Sequence, residues 1–179
     1  PAKGVRPYRF AEVDYWCAEA LGAGLRGNWV RAREIAAGED IASWIRRSIS
    51  DERRAAQVDT AFGGQHNAVP GETMSEQTLA RVLIALDPVA PIQFREFSAR
   101  PESLVQALAV EFNKPGTQQL FAEVVSARLQ AFALELQNRK PVEVAPLRKQ
   151  QETLAFYLAR PRPGYGIERC LYEYNVGWP

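Results

Sequence analysis

The sequence predicts an all-α protein: an irregular two-lobed helical bundle of about eight to ten helices, with at most a minor β element. Three observations carry this. Apolar residues recur at three- and four-residue steps along most of the chain, the repeat that gathers them on one helical face. Most of these stretches open on Ser, Thr, Asp or Asn, whose side chains accept from free backbone N–H groups, and close on Gly or Pro. Only one segment, "DPVAPIQFREFSARP", reads as extended.

Taken in order, "RFAEVDYWCAEALG" places Phe10, Val13, Tyr15, Trp16, Cys17, Ala20 and Leu21 on one broad face, and Gly22 with Gly24 ends the pattern. Asn28 stands where it can cap "WVRAREIAAG", which Gly38 stops, and Asp40 where it can cap "IASWIRRS". Ser50 ahead of "DERRAAQVDTAFGG" repeats the pattern, with an acidic first turn that suits the helix dipole. "GGQHNAVPGETM" has the small, polar make-up of a surface loop. Thr73 or Ser75 then caps a helix that carries Leu79, Val82, Leu83 and Leu86 inward. It must stop near Asp87, because Pro88 disfavours helix in the residue before it.

Residues 87–98 form the expected connector between two lobes, 8–86 and 99–177, and Ile92, Phe94 and Ser98 within it hint at a short strand-like crossing. Pro101 suits a first helical turn leading through Leu104, Val105, Leu108 and Phe112 to a break at Pro115-Gly116. Thr117 caps the longest expected helix, "QQLFAEVVSARLQAFALELQ", apolar on most of its surface and so central to the second lobe. "NRKPVEVAP" reads as a proline-bracketed connector, Leu147 to Leu158 as another helix, and "GIERCLYEYN" as the last one. There is no solenoid-type repeat period.

Hydrophobic residues make up 46% and charged residues 24%, the balance of a folded domain rather than a disordered chain. The net charge of +1 argues against nucleic acid, which needs a concentrated excess of cations. No apolar run approaches a membrane span and no signal-peptide pattern is visible, so a cytoplasmic protein is expected. Cys17 and Cys170 lie far apart without metal-ligand spacing, which predicts two reduced, packed thiols. The ends at Pro1 and Pro179, with no initiator Met, predict a piece of a longer protein.

Chemistry is sparsely signalled. The "GYGIER" run before the last helix lacks the third glycine of a dinucleotide fingerprint and the lysine and hydroxyl of a P-loop, so Gly164 and Gly166 read as a turn that docks the helix. His66, the only histidine, stands in a polar loop with no partner pattern for acid/base or metal work. No nucleophile, paired-carboxylate or metal signature appears, so no catalytic residue, metal or cofactor is assigned. The candidate binding residues are instead Arg46, Arg47, Arg53 and Arg54, which crowd two consecutive helices, and the aromatics Trp29, Trp44 and Trp178. Guanidinium favours bidentate contact with acidic surfaces, and tryptophan is enriched at binding hot spots. The competing readings are a solvated, partly neutralised arginine face and a core role for the tryptophans.

Three fragments, "NWVRAREIAAGEDIASWIRRSI", "LARVLIALDPVAPIQFREFS" and "GYGIERCLYEYNVGWP", together resemble helical regions attached to large bacterial signalling proteins, including eukaryotic-like serine/threonine kinases. No kinase HRD or DFG element is present, so no kinase residue is carried over. The resemblance implies an accessory module that scaffolds, senses or recruits, with a protein or a neighbouring domain of the same chain as its partner. The alternatives are a small-molecule or nucleic-acid binding domain, or an enzyme whose site the sequence does not display.

Overall fold

The structure, a computed structural model, describes residues 1–35, 38–63, 73–104, 106–107 and 116–158. The chain is mostly helical and carries two small two-stranded sheets, so it is not purely α. It divides into two compact units, Pro1–Phe97 and Ser98–Pro179. Among the described residues no helix is long and apolar enough to cross a membrane.

The first unit opens on an antiparallel hairpin, β1 (Tyr8–Phe10) and β2 (Val13–Tyr15), in the register Tyr8 to Tyr15 and Phe10 to Val13. This corrects the expected helix from Phe10. Helix α1 begins only at Ala18 and runs to Gly27, through both Gly22 and Gly24. Ala11 and Glu12 turn the hairpin with φ of 49° and 65°, a pair of left-handed residues that interrupts any helical repeat.

Four more helices follow: α2 (Trp29–Arg33), α3 (Gly38–Trp44), α4 (Glu52–Ala61) and α5 (Glu76–Leu86). Gly38, expected as a stop, opens α3. A π-helical turn, Ile45–Ile49, continues α3 and ends at Ser50, whose φ of 60° is left-handed. Ser50 is therefore not a cap; Asp51 is, its carboxylate accepting from the Arg54 N–H at 2.9 Å. Ser75 caps α5 by accepting from the Thr78 N–H. Helix α3 packs on α4, α4 on α5, and α5 on α1, burying Leu21, Leu25, Ile41, Ile45, Leu79 and Leu83.

Strands β3 (Ile92–Phe94) and β4 (Phe97–Ala99) form the second hairpin, where Ile92, Phe94 and Ser98 had hinted at an extended crossing. Its inward side chains Ile92 and Phe94 are fully buried.

In the second unit, Pro101–Ser103 forms a short 3-10 turn, followed by α6 (Thr117–Ser126), α7 (Leu129–Leu136) and α8 (Pro141–Leu158). Gly116, rather than Thr117, occupies the cap position of α6. The single long helix expected from Thr117 is broken at Arg128, whose φ of 54° turns the chain between α6 and α7. Conversely, the connector expected at 138–146 is largely helical. Pro141 starts α8 where a missing N–H costs nothing, and Pro146 stands on an exposed side where water can satisfy the carbonyl it leaves unpaired. Phe121, Val124, Leu129 and Leu134 form the core against α8.

Candidate interaction surface

The N-terminal arm, residues 1–7, has no regular secondary structure, bends at Val5 and Arg6, and passes the hairpin's exit and the π turn. Its hold is through main-chain atoms. The Gly4 N–H donates to the Trp16 carbonyl at 2.6 Å, and the Val5 N–H to the Ser48 carbonyl at 3.0 Å. The Trp44 indole N–H donates to the Arg6 carbonyl at 2.8 Å. Of residues 1–6 only Gly4 is buried. A Cβ there would stand 3.2 Å from the arm's own Arg6 carbonyl oxygen, a tight approach, and 3.4 Å from both Ser48 Cβ and the Trp16 oxygen, which is ordinary van der Waals contact.

Beside Gly4, Trp16 is 42% exposed, with the Lys3 ammonium 5.2 Å above its ring, and Val5 is 78% exposed. An ammonium over an indole face is held by the ring quadrupole and leaves the other face available. Sequence reasoning assigned Trp16 to a helical core face and passed over Lys3 and Gly4. The helical misreading of residues 10–17 hid them; an isolated glycine ahead of an aromatic hairpin was the available signal.

Trp44 is buried, and Tyr8 meets its ring edge-on at 5.5 Å. The four candidate arginines separate into two kinds. Arg46 reaches from the π turn to Glu52 and Asp59 of α4, and those carboxylates hold its guanidinium above the usual arginine value despite some desolvation. Arg54 donates from α4 to Glu19 of α1 at 2.7 Å and lies 3.5 Å from Asp51. Burial pushes the Glu19 carboxyl up, but the hydrogen bond from Arg54, a hydrogen bond from its own backbone N–H and the charge of Arg54 together outweigh it and leave it below the ordinary value. Arg47 and Arg53 are exposed and form no ion pair with described residues.

Trp29 lies elsewhere, at the start of α2, edge-on to Phe94 at 6.4 Å, with its buried indole N–H lacking a partner. Close to it in the chain, burial lowers the Arg26 guanidinium's pKa and Asp87, 3.8 Å away, partly restores it. The structure thus brings Trp44 and Arg46 to the π turn and keeps Trp29 apart. Trp178, His66, Cys170 and the "GYGIER" turn lie outside the described residues. No group of three metal-ligating side chains occurs among the described residues.

In the second unit the amide nitrogen of Gln130, 1% exposed, donates to the Pro101 carbonyl at 2.6 Å and approaches Gln150 Oε1 at 3.5 Å. Arg139 pairs with Glu102. These contacts tie the 3-10 turn to α7, with Gln150 adding the buried side of α8.

Comparison with known proteins gives no match: no family model, no curated protein and no solved structure aligns with the chain.

Proposed function

We propose that this chain, an irregular two-lobed helical bundle, is a non-catalytic protein-interaction or regulatory module of a larger bacterial signalling protein. The observation that carries the reading is the surface around Trp16: a half-exposed indole, a cation stacked on it and an exposed Val5, all fixed by main-chain bonds to the body of the first unit. A tryptophan left 42% exposed forgoes part of the roughly 1.5 to 3 kcal/mol that full burial of a large apolar side chain gives, a loss that a partner recovers. Arg46 and Arg54 are paired with carboxylates of the same unit, which leaves fewer cations for a phosphate backbone and favours a protein partner. The signalling context rests on the sequence resemblance alone.

The test is affinity purification with the wild-type chain and a Trp16→Ala variant of equal stability. The reading expects a set of proteins captured by the wild type and lost from the variant. Identical captured sets would remove its support.

A further inference from the structure

We propose that the face formed by Trp16 and Val5 and edged by Lys3, Arg6 and Arg47 docks an acidic segment of a partner protein, with an apolar side chain against the indole and carboxylates against the cations. Main-chain bonds bring these residues together. The Gly4 N–H donates to the Trp16 carbonyl, and the Val5 N–H donates to the carbonyl of Ser48, the chain neighbour of Arg47. The Trp44 indole N–H holds Arg6 by its carbonyl alone, so the Arg6 side chain stays in solvent. Lys3, Val5 and Arg47 are exposed as well, and Trp16 is half-exposed.

Charge selects the partner. Elsewhere in the same unit Arg9, Arg26, Arg33, Arg46, Arg54 and Arg95 each lie against a carboxylate. Lys3, Arg6 and Arg47 form no ion pair with described residues. Glu12 is engaged by Arg9, Glu19 by Arg54 and Glu52 by Arg46, while Asp14, exposed on β2, tempers the three cations without balancing them. A protein segment carrying carboxylates around one apolar residue matches both halves of the face: the aromatic contact supplies affinity, and the rim charges orient the encounter. Three cations engage too few phosphates to hold a nucleic acid at physiological salt, and Val5 beside the indole has no counterpart on a phosphate backbone.

The proposal rests on the interaction-module reading and adds the chemistry of the partner. The probe is a fluorescein-labelled random copolymer of glutamate and tyrosine, titrated against the full chain by anisotropy beside polyglutamate of equal length and oligothymidylate of equal charge. The copolymer should bind saturably, at least about tenfold tighter than polyglutamate, because it offers an aromatic ring as well as charge. Lys3→Glu with Arg6→Glu should weaken that binding at least about tenfold. Both side chains are exposed and the arm is held through its main chain, so this variant keeps the fold; Arg47→Glu, on the π turn, gives a second reading in the same direction. Trp16→Ala should abolish the preference over polyglutamate. No binding, or equal binding to wild type and the charge-reversed chains, overturns the proposal. Oligothymidylate bound as tightly as the copolymer also overturns it and assigns the face to nucleic acid. Captured proteins that Trp16→Ala loses and the charge reversals keep would overturn it too, while the interaction-module reading survived.

Discussion

The phenol end of Tyr15 packs against the backbone of Gly24, so that a Cβ on residue 24 would overlap its Oη and Cζ and stand 2.6 Å from Cε1. Packed carbons approach only to about 3.5 to 4.0 Å. This contact docks the first hairpin on α1 and explains a glycine inside a helix, where it otherwise costs about 1 kcal/mol against alanine. Gly24→Ala should therefore destabilise the chain by about 1 to 3 kcal/mol, as overpacking does. In a Tyr15→Ala background the same change should stabilise, because only the helix propensity remains. A denaturant-midpoint cycle reads both, and additive effects would mean that the two residues do not meet.

The turn of the first hairpin makes a second prediction. Left-handed backbone costs a non-glycine residue roughly 1 to 2 kcal/mol, and Ala11 and Glu12 both adopt it. Asn-Gly is the pair that this turn favours, so Ala11→Asn with Glu12→Gly should raise the unfolding midpoint by several degrees. The lost Arg9 to Glu12 ion pair is exposed on both sides and subtracts little. A lower midpoint would show that the turn is not of this type.

That turn also explains where the sequence misleads. Phe10, Val13 and Tyr15 fit a helical face, and nothing in Ala-Glu advertises a reversal, so the hairpin was legible only in retrospect. Arg128 hides the break between α6 and α7 in the same way, since arginine carries no preference for φ of 54°. Where the local chemistry is explicit, sequence and structure agree: Ser75 caps α5, and Pro101 opens a turn. The arginine cluster was visible as composition, but its division into partly exposed ion pairs and exposed cations depends on Glu19 and Asp59, distant in the chain from Arg54 and Arg46. The arm is held through two main-chain carbonyls and one indole N–H, contacts that no residue pattern encodes.

The two described candidate tryptophans should respond oppositely to loss of their indole N–H. Trp44→Phe removes the donor to the Arg6 carbonyl, so it should cost about 0.5 to 1.5 kcal/mol beyond the lost volume and speed amide exchange at Gly4 and Val5. Trp29→Phe removes a buried donor that has no partner and keeps an aromatic ring near Phe94, so relief of that group offsets lost packing. Its net effect should stay within about 1 kcal/mol, with exchange in the arm unchanged. Exchange of the arm that responds equally to both variants would contradict the placement of Trp44 as the indole donor to the arm.

Glu19 and Arg54 set the last prediction, a dependence of stability on acid. The Glu19 carboxyl lies below its ordinary value of 4.5 because the Arg54 hydrogen bond, a bond from its own backbone N–H and the Arg54 charge together outweigh the burial that would raise it. A depressed carboxyl pKa means that the unfolded chain takes up the proton first. The stabilisation is therefore complete above the unfolded pKa and is lost as pH falls through the folded one. At neutral pH, Glu19→Gln should lower stability by about 1 to 3 kcal/mol, the range for a hydrogen bond to a charged group, and Arg54 would be left with Asp51 alone. As pH falls below about 4.5 into strong acid, the gap between wild type and Glu19→Gln should close, since protonation makes the two side chains nearly alike. Arg54→Met should remove most of the acid dependence that Glu19 contributes while Glu19 itself is intact. Urea midpoints for the three proteins across that range supply the measurement. A gap as large in strong acid as at neutral pH would mean that Glu19 supports α1 through packing rather than through its charge.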